Sequence, residues 1–151
     1  MPFFFRALSG ICATVGTAIG ILLGPAMAQS PSPNYKVSST VVPGHYACLE
    51  FRGSRPVEFG QYTGTRFSNE FDIVDASRYE YRGSRRQPGA YSFSASTGAI
   101  TWTSGPFAPD ADGTSVEAVS TVRASDGRPA IILTFKIPGL GESREFCALV
   151  R

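Results

Sequence analysis

Histidine is almost missing from this 151-residue chain: His45 is the only one. Any Ser-His-Asp or Cys-His relay would have to pass through it, yet His45 opens a predicted strand beside Gly44 and no G-x-S-x-G elbow occurs. It reads as a surface strand histidine. Cysteine is scarce too, and three Cys with one His lack the ligand spacing of a zinc site. Charge of one sign is absent: 14 Lys and Arg against 12 Asp and Glu leave a net +2, too weak a field for a nucleic-acid binder or an acidic solvating tail. No long stretch repeats apolar residues at helical spacing. These absences assign no catalytic residue, no metal and no cofactor, and the chain is expected not to be an enzyme.

What is present begins with a targeting segment. Arg6, an apolar stretch from Ala7 to Leu23, the breaker Gly24-Pro25 and Ala26-Met27-Ala28 follow the order of a secretory signal with an A-x-A cleavage site. Residues 1–28 should therefore be removed, Cys12 with them, leaving Gln29 first and no stable membrane span. The alternative is an uncleaved anchor, for which four glycines and a proline are poor material. Export to the periplasm or the extracellular medium makes the remaining pair, Cys48 and Cys147, a disulfide rather than two buried thiols. Closing a loop of that length stabilises a chain by about 4 to 5 kcal/mol on the entropic account.

Residues 29–43 (QSPSPNYKVSSTVVP) are rich in Ser and Pro and are expected to form a flexible tether. Residues 44–151 read as one β domain. Strands are predicted at Tyr46–Phe51, Phe71–Val74 and Tyr79–Tyr81, with a short one near Phe59–Tyr62. A hairpin joins Ala90–Ser94 to Ile100–Thr103 through Gly98, and a second joins Val116–Val122 to Ile131–Ile137 through Asp126-Gly127. Glu145–Val150 ends the series. Seven or eight short antiparallel strands fit a small barrel, or alternatively a sandwich. A Cys48–Cys147 bond would bring the terminal strands together, which favours the barrel.

The strings Gly44-His45-Tyr46-Ala47-Cys48, Gly89-Ala90-Tyr91-Ser92-Phe93 and Gly98-Ala99-Ile100-Thr101-Trp102-Thr103-Ser104-Gly105-Pro106, with Cys147 near the end, form a pattern. It resembles that of small exported bacterial β-proteins of uncharacterised function. The resemblance implies a fold and brings no activity.

Two surface features could bind something. Arg78, Arg82, Arg85 and Arg86, interleaved with Tyr79 and Tyr81, could hold the anionic groups of an envelope component or a protein. Tyr91, Phe93 and Trp102 could floor a sugar or lipid pocket, although such cross-strand aromatics commonly pack a core. Asp110, Asp112 and Glu117 offer oxygen ligands but miss the spacing of a helix-flanked calcium loop. The expected function is an exported, non-enzymatic β domain that binds a small ligand, an envelope component or a protein. The alternative is an enzyme acting on cell-wall or extracellular material, with a carboxylate pair drawn from Glu50, Glu58, Asp72 or Glu80.

Overall fold

Alternation of apolar and polar residues settles into nine strands in the computed structural model, which describes residues 34–50 and 69–150. They are β1 (Tyr35–Val37), β2 (Gly44–Glu50), β3 (Glu70–Ile73), β4 (Arg78–Arg82), β5 (Arg86–Phe93), β6 (Ala99–Ser104), β7 (Ser115–Arg123), β8 (Pro129–Ile137) and β9 (Gly141–Leu149). Strands β2 to β9 each pair antiparallel with the next, and β9 returns to β2, so the sheet closes into an eight-stranded barrel. The sandwich alternative is excluded. The signal segment and the strand expected near residues 59–62 lie outside the described residues. Among those described, no helix is long and apolar enough to cross a membrane.

Closure occurs where the cysteines sit. Cys48 on β2 is directly opposite Cys147 on β9, their Cα atoms 3.8 Å apart and their sulfurs bonded. Both point inward and are fully buried. Above and below them the interior fills with rings. Tyr46 stacks on Phe71 at 5.5 Å between centroids, and Tyr79 lies 4.8 Å from Trp102. Phe107 comes from the 105–114 loop, which is otherwise polar, and turns inward to stack on Tyr79 at 5.4 Å and meet Phe71 edge-on at 5.4 Å. Ile73, Ile100, Ile131 and Leu133 complete the core.

The ladder is uneven at one place. β7 and β8 pair from Ser115↔Lys136 to Val122↔Pro129, whereas β6 meets β7 only at Ala99↔Val119 and Ile100↔Ala118. Beyond Ile100 no β6–β7 pair continues, and the 105–114 loop carries the chain from β6 to β7.

The tether expected over residues 29–43 needs correction in its middle. Tyr35–Val37 forms β1, paired along the edge of β7 with Tyr35 opposite Arg123 and Val37 opposite Thr121. Tyr35 is 6% exposed, its ring 4.3 Å from Phe146 and packed with Ala130 and Ala148 on the outer face of the barrel. One buried aromatic ring offsets the ordering of three residues, a local gain that Ser- and Pro-rich composition averages away. Replacing Tyr35 with Ala should remove about 2 to 3 kcal/mol of burial and let β1 detach. Hydrogen exchange checks this: the amides of Ser38 and Ala124, bonded to Ser120 and Asn34 carbonyls at 2.9 and 2.8 Å, should lose protection while the barrel keeps its own. Unchanged protection at both would contradict the anchoring role of Tyr35.

Candidate functional site

The aromatic trio packs into the core. Tyr91 and Trp102 are buried among the core rings, Phe93 is half-buried against them, and the Tyr91 hydroxyl donates to the Asp75 carbonyl at 2.7 Å. Burial raises the Tyr91 hydroxyl above its ordinary pKa, with the Asp75 charge adding to it.

The arginines lie on the outer wall, where pairing brings carboxylates from other strands against them. His45, Asp72, Glu80 and Pro88 stand in one row across β2 to β5, because Asp72 pairs with both His45 and Glu80, and Glu80 with Pro88. Arg82 Nε donates to Asp72 Oδ2 at 2.6 Å. Arg86 Nη1 donates to Glu80 Oε2 at 2.7 Å and lies 3.7 Å from Asp72. His45 sits between Asp72 Oδ1, 3.1 Å from Nδ1, and Glu70 Oε2, 3.3 Å from Nε2. Arg78 is spent on Asp75 at 2.6 Å. Arg85, exposed at the tip of the β4–β5 turn, has no ionic partner among the described residues. The cluster the sequence suggests as an anion site is thus mostly a set of ion pairs stitching four strands, with Arg85 left over.

Asp72 is the hub of that stitching. Burial alone would raise its pKa, but hydrogen bonds from Arg82 and His45 and their charges outweigh it and hold the carboxyl below its ordinary 3.8. Because the folded value is the lower one, the stabilisation is present above about pH 4 and is lost as pH falls through the folded value. Asp72→Asn should therefore flatten the acid limb of the stability curve below about pH 4, while lowering stability at neutral pH. Urea unfolding across that range measures both. An acid limb as steep in the variant as in the parent would show that other carboxylates carry it.

Asp75 is held at about 2, first by the Arg78 hydrogen bond and then by the Ser77 backbone. Asp112 is likewise lowered by hydrogen bonds from Thr114, whose N–H donates to Oδ1 at 2.9 Å. Glu117 accepts from Lys136 Nζ at 2.6 Å on the neighbouring strand. The 110–117 stretch is a self-satisfied turn running into β7.

Sequence reasoning misses one polar cluster. Glu145 points into the barrel two residues before Cys147 and is buried. Asn69 Nδ2 donates to both its oxygens at 2.8 and 2.7 Å, and the Tyr81 hydroxyl donates to Asn69 Oδ1 at 2.9 Å. The available signal was period two counted back from Cys147, which turns position 145 inward. Of the carboxylates suggested for an acid-base pair, Asp72 and Glu80 are cross-strand neighbours on the outer wall, each engaged by arginine. Glu58 and the side chain of Glu50 lie outside the described residues. The chain matches no protein-family profile, no curated protein and no solved structure.

Proposed function

We propose that this chain is an exported, non-catalytic binding module that holds a protein partner on the outside of its barrel, and that it groups with the small exported bacterial β-proteins its motifs resemble. The observation carrying this reading is the filled interior: Tyr46, Phe71, Tyr79, Tyr91, Trp102 and Phe107 interlock where a small ligand would otherwise lie. A disulfide-closed barrel with a solid core is a rigid scaffold, and rigidity lowers the ordering cost of surface recognition. Among the described residues, Asp72 and Glu80 are engaged by arginine and Glu117 by lysine, which supports binding over acid-base chemistry.

Trp102, the single tryptophan, reports on the interior directly. Its emission should stay unchanged on titration with apolar probes such as anilinonaphthalene sulfonate or a fatty acid, while the full chain retains protein from an envelope fraction at physiological salt. Saturable quenching of Trp102 at micromolar probe would overturn the reading in favour of an internal ligand site. Turnover of cell-wall glycan that Glu145→Gln abolishes would overturn it in favour of the enzyme.

A further inference from the structure

We propose that the groove in which β1 lies is a docking site for an extended, acidic segment of a protein partner that takes the place of β1, an assignment that rests on the outer-surface reading and gives it a location. The groove exists because strand lengths differ. β6 begins at Ala99, paired with Val119, while β7 runs on to Arg123, so the last residues of β7 stand beyond the start of β6. The eight-stranded barrel closes without β1, and the edge left over is filled by three residues of the chain's own N-terminal arm. That occupant shows what the groove accepts. The Ser38 N–H reaches the Ser120 carbonyl at 2.9 Å, the Ala124 N–H reaches the Asn34 carbonyl at 2.8 Å, and the Tyr35 ring packs on Ala130, Phe146 and Ala148 of the outer wall. Strand addition of this kind draws affinity from the main chain and specificity from side-chain sockets.

β1 leaves one part of its socket unmet. A hollow lined by Arg123, Arg128, Pro129, Ala130, Phe146 and Ala148 shares three of its walls with the Tyr35 contact. Arg128 Nε is buried with no hydrogen-bond acceptor among the described residues, and Asp126 Oδ2, 4.0 Å from it, is engaged by Arg123. A buried donor without an acceptor is destabilising, the more so on a charged group. Residues 34–37 bring Lys36 and no carboxylate, so β1 adds a cation beside Arg123 and Arg128 where an anion would complement them. A strand that repeats the tyrosine and adds a carboxylate would meet the donor that β1 leaves, through the strongest class of hydrogen bond available to arginine. In a strand the residue two before the ring shares its face, and in this chain position 33 is proline. The fitting segment is therefore an acid, any residue, an aromatic, any residue and a β-branched residue. A three-residue edge strand opens more readily than the barrel it lies on, so the exchange leaves the fold intact.

The probe is the capped peptide Glu-Asn-Tyr-Lys-Val-Ser-Ser, the β1 sequence with glutamate in place of Pro33, and its control carries glutamine there. Added to the full, ¹⁵N-labelled chain, the Glu peptide should shift the amide signals of Thr121–Ala124, Arg128 and Ala130 saturably, and the Gln peptide should bind at least tenfold more weakly. Tyr35→Ala frees the groove from its own arm and should tighten both peptides at least tenfold; where the parent's arm prevents saturation, the ratio of the two peptides is read on this variant. Arg128→Gln should level the two peptides while Trp102 emission stays unchanged. If that emission moves, the two peptides on the chain with Arg128 intact decide alone. Equal binding of the Glu and Gln peptides, shifts spread outside the groove, no tightening by Tyr35→Ala, or no saturation even on that variant would overturn the site. That failure would leave the outer-surface reading standing, because the reading fails separately, on ligand quenching of Trp102.

Discussion

Removing the Cys48–Cys147 bond is expected to cost the barrel about 4 to 5 kcal/mol. The two cysteines are 99 residues apart, so the bond restrains nearly the whole folded domain in its unfolded state. Loop-closure entropy grows slowly with length, and a loop of about 100 residues stands near the top of the usual range. A domain of this size has a net stability of about 5 to 15 kcal/mol, so the loss takes about a quarter of it or more. There is also a native-state contribution: the bond joins β2 to β9, the one contact that converts a linear meander into a closed wall. Cys48→Ala with Cys147→Ala, compared with the parent in urea, should lower the midpoint and raise the slope, since the unbridged unfolded chain exposes more surface. A loss below about 1 kcal/mol would mean that the strand pairing on either side of the bond closes the barrel unaided. Both sulfurs are fully buried, so reductant should act slowly on the folded protein and quickly once denaturant opens it.

The hairpin from β5 to β6 is legible in the sequence because its information is local: Tyr91 and Phe93 alternate, Gly98 turns the chain, and Ile100 and Trp102 alternate back. The two cysteines carried the one long-range fact, that first and last barrel strands touch. What could not be read was whatever depends on register between strands distant in sequence. Arg82 and Arg86 look like free cations in a string, and only the β3–β4–β5 pairing sets Asp72 and Glu80 against them. Glu145 looks like a polar strand end until Asn69, 76 residues earlier, is found beneath it. Phe107 sits in a polar loop with no periodicity to mark it, yet it is a hub of the ring cluster. β1 failed for the opposite reason: three residues are too few for alternation to register against a tether-like composition.

Gly89 and Gly105 should tolerate no side chain, which explains why both stand as glycines in the motifs. A Cβ at Gly89 would lie 2.2 Å from Cε1 and 2.6 Å from the hydroxyl of Tyr79. At Gly105 it would lie 2.8 Å from that hydroxyl and 2.7 Å from the Gly89 Cα, in a backbone with φ of +83°. β5 and the start of the 105–114 loop thus approach with only hydrogen between them, and the Tyr79 ring seals the contact. Tyr79 has nowhere to go. It is 1% exposed, its hydroxyl donates to the Ser104 carbonyl at 3.1 Å and accepts the Phe107 N–H at 3.0 Å, and its ring is held against Phe107 and Trp102. Overpacking costs about 1 to 3 kcal/mol, and a left-handed non-glycine residue adds about 1 to 2. Gly105→Ala should therefore lose about 2 to 5 kcal/mol and Gly89→Ala about 1 to 3. The cause can be isolated by repeating Gly89→Ala in a Tyr79→Ala background, where the ring it would strike is gone. There the added cost should fall below about 0.5 kcal/mol, a coupling of the size that directly touching residues show. Equal costs with and without the Tyr79 ring would mean that the glycine serves the backbone of β5 rather than the packing of Tyr79, and the close approach of β5 to Gly105 would then be the place to look for the constraint.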